Sequence, residues 1–296
     1  MLSLLKFVLG LTIIASYEIA FANTSSLSEL ESEKFGLNKF SNKRIVTLTS
    51  LTADIVSKLD NSSLVGIPGS SLTLKNKKLS NKEIVSQGRT APQLEKIISL
   101  EPDLVIGSAS FHKKQLTKLS SLGIRSEEVE VRNWDELNNL IYKLSSLTGK
   151  NSSLVQNYLD NCNFKSDTNT NTNADTKVLV LVSAKPLLAP NSQSWAGSLL
   201  DRFNINNSTK SLLTKSQFKG YVNLSPEWLI SNQPEKIIVV KTGPNSIKSF
   251  KDLPYWKKLK AVKNNNVISM DYYGLVNPGS INSINKTCFT LANINN

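Results

Sequence analysis

The chain has 296 residues, of which 40% are apolar and 20% are charged, with 35 lysine and arginine residues against 23 aspartate and glutamate residues. This length suits two lobes of ordinary domain size, and the apolar fraction excludes a chain that is disordered throughout. One histidine and two cysteines are too few for a zinc site built from the usual cysteine and histidine ligands, so we expect no metal bound directly by the protein.

Residues 1–22 have the pattern of a cleavable secretory signal peptide. Lys6 gives a positive start, an apolar segment follows, and Ala20-Phe21-Ala22 forms a small-x-small cleavage site. No cysteine follows the apolar segment, so we expect a periplasmic protein without a lipid anchor or membrane span. An uncleaved anchor is the alternative, but the apolar segment is short for a span. Residues 23–42 are polar and are predicted to be a flexible leader.

The net charge of +12 favours an anionic ligand, although plain solubility explains it as well. The lysines are scattered, and no basic run alternates with aromatic residues that would stack on bases. Together with the export signal, this argues against a nucleic-acid partner.

The first lobe is assigned to residues 43–132 and alternates strands with helices. Short, continuous apolar runs predict buried parallel strands, and apolar residues three or four positions apart predict helices. The predicted strands are residues 45–48, 64–67, 104–106 and 129–131, and the predicted helices lie around residues 52–59, 94–98 and 113–122.

Residues 133–165 are predicted to be connecting helices. Asn133 and Glu136 resemble a capping box, apolar residues follow at helical spacing, and Gly149 ends the first helix. Residues 166–176 are a low-complexity polar loop. The second lobe, residues 177–296, has predicted strands at 178–182, 237–240 and 267–270.

The chain contains an internal repeat. Residues 44–50 and 177–183 are two similar strand sequences 133 residues apart, and residues 95–106 match residues 227–238 at an offset of 132. Two matches at nearly one offset indicate duplicated halves. The predicted fold class is therefore α/β, with two similar lobes, each a mainly parallel sheet flanked by helices, joined by a long connecting helix.

Several segments carry a resemblance to a known family. They are Ile45-Val-Thr-Leu, the run from Pro92-Gln-Leu-Glu95 to Pro102-Asp-Leu-Val-Ile-Gly107, Leu224-Ser-Pro-Glu227, and the tail segment from Trp256 to Ile268. In this order the chain resembles the periplasmic binding proteins of ABC importers for iron-siderophores, haem and cobalamin, of the type with a helical backbone. The resemblance implies a monomer without an intrinsic cofactor that delivers a metal chelate to a permease dimer and its ATPase.

In open α/β sheets the ligand lies beyond the carboxyl ends of the strands. For two facing lobes this predicts a cleft lined by strand-to-helix loops, with Thr49, Ser50 and Phe111 among its residues. Gly88-Arg89-Thr90-Ala91-Pro92 resembles the segment in which hydroxamate-siderophore binders place an arginine on the iron-bound oxygens. The planar guanidinium of Arg89 suits such a chelate, and a solvent-facing arginine is the alternative.

Aromatic residues in the second lobe are the other ligand candidates. Trp195 offers a stacking surface for an aromatic chelate or a corrin, or else is a core residue. Of Tyr272 and Tyr273, one is expected to point inward and the other to face the cleft. His112 has no metal-ligand neighbours in sequence and is interpreted as a surface residue. An iron-siderophore is the first expectation for the ligand, followed by cobalamin or another corrinoid and then haem.

Two acids and two cysteines complete the predicted set. Glu95 and Glu227 occupy equivalent positions in the repeat, and in proteins that this chain resembles one glutamate on each lobe fits an arginine pocket on each permease subunit. A favourable position near a helix N-terminus would explain either glutamate alone. Cys162 and Cys288 are expected to form a disulfide, with two buried thiols as the alternative.

An enzyme is the competing class of protein. The sequence has no G-x-S-x-G motif, no histidine beside a nucleophile and no phosphate-binding glycine loop. A secreted adhesin would not require equivalent glutamates in the two halves. We therefore expect a transport component without catalytic residues.

Overall fold

The computed structural model describes residues 43–87, 90–163, 176–213 and 218–294. The predicted signal peptide and leader, most of the polar loop and Arg89 lie outside the described residues.

The first lobe is built on a five-stranded sheet in which every neighbouring pair of strands is parallel. The strand order is β3-β2-β1-β4-β5. The strands are β1 (Ile45–Thr47), β2 (Leu64–Gly69), β3 (Glu83–Gln87), β4 (Leu104–Ser108) and β5 (Ser126–Val129). The helices are α1 (Ser50–Asp60), α2 (Ser71–Leu74), α3 (Leu94–Ser99) and α4 (Ala109–Ser121), with a 3₁₀ turn at Lys77–Leu79.

Helices cover both faces of this sheet. Ile45 packs into the large core cluster that includes α1, whereas the next residue, Val46, packs with Ile97 and Leu116 on the other face. Successive side chains of a strand point to opposite faces, and here both are fully buried. This explains the continuous apolar runs from which the strands were predicted.

A helical connector follows the first sheet. α5 (Trp134–Thr148) begins where the side chain of Asn133 accepts a hydrogen bond from the backbone N–H of Glu136 at 2.8 Å, and it ends at Gly149 with a φ of 66°. The expected capping box is incomplete, because the Glu136 carboxylate accepts from the backbone N–H of Arg132 instead. The second connecting helix is a single turn, α6 (Ser153–Gln156), that continues as a 3₁₀ helix to Cys162.

The second lobe contains two three-stranded sheets. One is parallel, in the order β11-β10-β6, and the other is antiparallel, in the order β7-β8-β9. The strands are β6 (Val178–Leu181), β7 (Ser183–Ala184), β8 (Leu187–Pro190), β9 (Tyr221–Asn223), β10 (Lys236–Lys241) and β11 (Val267–Asp271). The helices are α7 (Trp195–Arg202), α8 (Pro226–Asn232), α9 (Ser246–Lys251), α10 (Lys260–Lys263), α11 (Tyr272–Leu275) and α12 (Ile281–Ala292), with a 3₁₀ turn at Trp256–Lys258.

The α/β class with a parallel sheet flanked by helices is confirmed, but the second lobe is less parallel than expected. Only Lys185 and Pro186 separate β7 from β8, and a connection this short joins antiparallel strands. β3 was not predicted either, because its apolar residues Ile84 and Val85 are too few to be distinctive at the edge of a sheet.

The internal repeat extends to individual hydrogen bonds. The Asp103 carboxylate accepts from the backbone N–H of Arg44 at 2.7 Å, and the Glu235 carboxylate accepts from the backbone N–H of Lys177 at 3.2 Å. In return, the backbone N–H of each acid donates to the carbonyl of the same partner at 2.9 Å. An equivalent clamp therefore precedes the first strand of each half.

Candidate functional site

The carboxyl ends of the first lobe's parallel strands meet at one edge of the sheet. Thr49 and Ser50 follow β1 at this edge, and Ser70 follows β2. The Thr49 side chain caps α1 by accepting from the backbone N–H of Thr52 at 3.2 Å, and the Ser50 hydroxyl donates to the Ser70 hydroxyl at 2.6 Å. Both predicted residues are partly exposed, so this edge presents a cluster of hydroxyl groups.

Phe111 lies at the same edge, in the first turn of α4, directly after β4. Its side chain is 81% exposed, the largest value among the exposed large apolar side chains of the described residues. Beside it, the Ser110 hydroxyl donates to the Glu130 carboxylate at 2.8 Å. An exposed aromatic ring next to polar groups is a surface suited to contact a ligand.

The imidazole ring of His112 is anchored to the backbone. Its Nδ1 accepts a hydrogen bond from the backbone N–H of Ser108 at 3.0 Å, and burial lowers its pKa. The interpretation as a surface residue is thus wrong in part, because the ring is half-buried. Among the described residues, no group of three or more histidine, cysteine, aspartate or glutamate residues is arranged to hold a metal ion.

The segment around Arg89 begins at the carboxyl end of β3. The backbone N–H of Thr90 donates to the carbonyl of Gln87 at 2.9 Å, and the Thr90 hydroxyl donates to the same carbonyl at 2.7 Å. Both flanks of residues 88 and 89 are therefore fixed at the sheet edge that carries Thr49 and Phe111, although Arg89 itself is not among the described residues.

Tyr272 and Tyr273 follow β11, the edge strand of the second lobe's parallel sheet. Their rings meet edge to face with centroids 5.3 Å apart, and both are partly exposed, so neither is wholly turned inward. Burial raises the pKa of the neighbouring Tyr221, and Tyr272 raises it further. The phenols of Tyr272 and Tyr273 are hydrogen-bonding groups at this edge of the sheet.

Trp195 is a core residue, which corrects the expectation that it stacks on ligand. Only 3% of it is exposed, and its Nε1 donates to the carbonyl of Gly274 at 2.8 Å. Its ring stacks on Trp134 of the connector, with centroids 6.3 Å apart and the planes inclined by 18°. The Arg202 guanidinium covers Trp134 at 4.0 Å from the centroid. The tryptophan therefore ties α7 to the connector and to the segment after β11.

Comparison with known proteins places these features in a family. The model of the periplasmic binding protein family matches residues 45–273. The chain belongs to this family. Its members serve ABC importers as substrate-binding proteins and are not enzymes.

The similar proteins are named for different ligands, among them ferric citrate, vitamin B12, haem and molybdate. The chain is 28% identical to the Fe(3+)-citrate-binding protein YfmC of Bacillus subtilis over 77% of this chain and 73% of that protein. Its fold is similar to that of the vitamin B12 binding protein BtuF of Vibrio cholerae, with a TM-score of 0.64, 20% identity, and coverage of 85% and 97% of the two chains. A possible iron-binding protein of Staphylococcus epidermidis gives a TM-score of 0.66, 18% identity, and coverage of 86% and 99%.

Glu95 and Glu227 lie near the starts of two helices at equivalent positions of the repeat. Each is the second residue of a short exposed helix, α3 or α8. Ser225 caps α8 by accepting from the backbone N–H of Trp228 at 3.1 Å, whereas Gln93 makes no such bond at the start of α3. The pKa of Glu227 is lowered by hydrogen bonds to its carboxylate from the backbone N–H of Glu227 itself and from the Ser225 hydroxyl. Both carboxylates are exposed and available to a partner of this binding protein.

Cys162 and Cys288 form a disulfide, with sulfurs 2.08 Å apart and both residues fully buried. The bridge joins the end of the connector to α12, the last helix of the second lobe. No helix in the described part of the chain is long and apolar enough to cross a bilayer.

A basic cavity at the flank of α1 was not predicted from the sequence. It has a volume of about 430 Å³, and its lining includes Ser50, one acid, Asp54, and four lysines. These lysines are Lys58, Lys75, Lys77 and Lys78. The cavity therefore favours anions over cations. Asp54 is buried among the apolar residues of α1. An acid on the apolar face of a helix needs a polar partner, and this was the signal in the sequence for a polar feature beside α1.

Proposed function

We propose that this binding protein captures a ferric chelate rich in anionic oxygens in the cleft between its lobes and delivers it to the permease of an ABC importer. The name of the Bacillus subtilis relative supports iron bound to a hydroxycarboxylate. The excess of basic residues in this chain supports a ligand with negative charge.

The exposure of Phe111 is the observation that carries the proposal. A large apolar ring that is 81% exposed gains free energy when a ligand covers it, and its place beside the carboxyl end of β4 is where α/β proteins bind ligands. We assign it the apolar face of the site.

Polar groups complete the proposed site. The Thr49 and Ser50 hydroxyls and the Tyr272 and Tyr273 phenols can donate hydrogen bonds to chelate oxygens. Arg89 supplies the positive charge, since its guanidinium can donate two parallel hydrogen bonds to a carboxylate or hydroxamate.

Export and docking belong to the same proposal. Residues 1–22 act as a signal peptide, and the mature protein works as a periplasmic monomer. Glu95 on the first lobe and Glu227 on the second each meet a basic pocket on one permease subunit, so that the protein lies across the permease dimer.

The ligand proposal is tested by titration with ferric citrate, a ferric hydroxamate, haemin and cyanocobalamin. Tryptophan fluorescence and thermal unfolding report binding. We expect a ferric chelate to bind most tightly and Phe111→Ser and Arg89→Ala each to weaken it by about tenfold or more. Leu122→Ser is the matched control, because Leu122 is 56% exposed at the other end of α4. Preferential binding of haemin or cyanocobalamin would contradict the ligand class, and unchanged affinity in Phe111→Ser would contradict the site.

A further inference from the structure

Exposed apolar side chains reveal a second feature of the internal repeat. In the described part of the chain, Ile98 is 41% exposed and Ile230 is 40% exposed. They are separated by 132 residues, which is the offset of the repeat, and among the described residues no other two exposed large apolar side chains are related in this way. Those side chains are Leu74, Ile98, Phe111, Leu122, Tyr142, Leu154, Tyr158, Leu213, Phe218, Ile230, Ile247 and Phe289.

Each isoleucine shares a helix face with a docking glutamate. Ile98 follows Glu95 by three positions in α3, and Ile230 follows Glu227 by three positions in α8. Residues three apart on a helix are surface neighbours.

The opposite side of each helix is anchored in the core. Ile97 and Leu229, which directly precede the exposed isoleucines, are both fully buried, in the core clusters of the first and second lobes. Each helix therefore holds its acid and its isoleucine rigidly toward solvent.

Neither helix formation nor core packing requires an isoleucine at these positions. A single exposed apolar residue is ordinary on a protein surface. Two of almost equal exposure, at equivalent positions and each beside an equivalent acid, fit a partner that presents the same chemistry twice.

We propose that Glu95 with Ile98, and Glu227 with Ile230, form two equivalent docking patches in which the isoleucine packs into an apolar recess beside the basic group of each permease subunit. This inference rests on the proposed function. Covering the isoleucine excludes water from the neighbouring ion pair, which strengthens the attraction between the charges. The partner is the permease dimer, because two patches on one chain match two like subunits.

The test compares paired variants on the isolated transporter. The permease–ATPase complex is purified from the host on affinity-tagged wild-type protein and placed in nanodiscs. We expect Ile98→Ser with Ile230→Ser to weaken binding to the complex by about tenfold or more and to reduce ATPase stimulation. Ile98→Val with Ile230→Val keeps an apolar surface and is expected to retain wild-type binding. Thermal unfolding and ferric citrate binding are expected to stay unchanged in both pairs.

A control pair separates docking from general surface apolarity. Leu122→Ser with Leu154→Ser removes two side chains that are 56% and 45% exposed and unrelated by the repeat. Wild-type docking by the Ile98→Ser, Ile230→Ser pair would overturn the inference, and so would an equal loss in the control pair.

The inference and the proposed function fail in different ways. If Glu95→Ala with Glu227→Ala abolishes docking while the serine pair docks normally, the inference fails and the proposed docking stands. If both pairs dock normally, or if the wild-type protein retains no transporter, the proposed docking fails and the inference fails with it.

Discussion

The carboxylate of Asp54 accepts a hydrogen bond of 2.8 Å from the backbone N–H of Ile281. Asp54 belongs to α1 of the first lobe, and Ile281 is the first residue of α12 in the second, so the bond joins the lobes directly. The other oxygen of the carboxylate lies 3.1 Å from the ammonium group of Lys58, which also covers the ring of Tyr158 at 4.6 Å. An acid at a helix N-terminus is favoured by the helix dipole.

Loss of this carboxylate is expected to destabilise the protein. Asp54→Ala leaves a buried backbone donor and a nearly buried ammonium group without their acceptor, so we expect the free energy of unfolding to fall by about 2–3 kcal/mol. Asp54→Asn keeps an acceptor for the backbone N–H of Ile281 and is expected to lower the free energy of unfolding by less.

Urea denaturation measures the free energy of unfolding of both variants. Lys210→Ala, which breaks the exposed ion pair with Asp201, is the control and is expected to change stability by less than about 0.5 kcal/mol. A similarly small effect of Asp54→Ala would contradict the prediction.

Asp271 is expected to make stability depend on pH. Hydrogen bonds from Lys241 at 2.6 Å and Lys286 at 2.8 Å lower its pKa. Because the pKa is lower in the folded state, the ionised carboxylate stabilises the fold above the ordinary aspartate pKa, and this contribution is lost as the pH falls through the lowered value. Both ion pairs of Asp271 are partly exposed, so we expect Asp271→Asn to reduce the free energy of unfolding by no more than about 1 kcal/mol at neutral pH.

Urea titrations at neutral pH and at a pH below the lowered pKa of Asp271 measure this effect. We expect the difference between Asp271→Asn and wild type to disappear at the lower pH. Asp252→Asn is the control, because Asp252 is exposed and forms none of the ion pairs of the described residues. A difference of equal size at both pH values would show that Asp271 acts through packing and not through its charge.

Strands β1, β2 and β4 of the first lobe were predictable because local sequence determines them, whereas β3 was not predicted and β5 was expected three residues later in the chain. β1 and β4 are runs of residues buried on both faces, and apolar content alone identifies such runs. The pairing of β8 with β7 and β9 was not predictable, because it depends on contacts between segments distant in sequence. The same repeat that indicated duplicated halves gave no sign of this antiparallel sheet.

The candidate site was only partly accessible from sequence. Thr49, Ser50 and Phe111 were predicted to follow strand ends, and all three lie at one edge of the sheet. Trp195 was misjudged because its stacking partner, Trp134, comes from the connector, and no local pattern reveals that contact. Whether a tryptophan is a core or a surface residue is decided by such distant neighbours.

Removal of the disulfide is expected to destabilise the second lobe. The bridge links residues 126 apart, and closing a loop of that size in the unfolded chain is worth roughly 4–5 kcal/mol in the chain-entropy model. We expect dithiothreitol to lower the urea midpoint of the wild-type protein. Cys162→Ala with Cys288→Ala is expected to start from the lower midpoint and not to respond to dithiothreitol. Equal midpoints with and without the reductant in the wild-type protein would contradict the prediction.

Glu95 and Glu227 are expected to act in transport and not in ligand binding. Both carboxylates are exposed and neither belongs to the proposed ligand site, so we expect their replacement to remove no contact to the ligand. We expect Glu95→Ala with Glu227→Ala to leave ferric citrate affinity and the melting temperature nearly unchanged. The measurement is uptake of iron-55, given as ferric citrate, by a host strain that lacks the wild-type gene. We expect uptake to fall sharply in the double variant and partway in each single variant, because one docking patch remains.

Lys96→Ala is the control. Lys96 lies on the same helix as Glu95 and forms an exposed ion pair with Glu83, and its replacement is expected to support normal uptake. Wild-type uptake in the double variant would mean that the two acids serve only their helix N-termini.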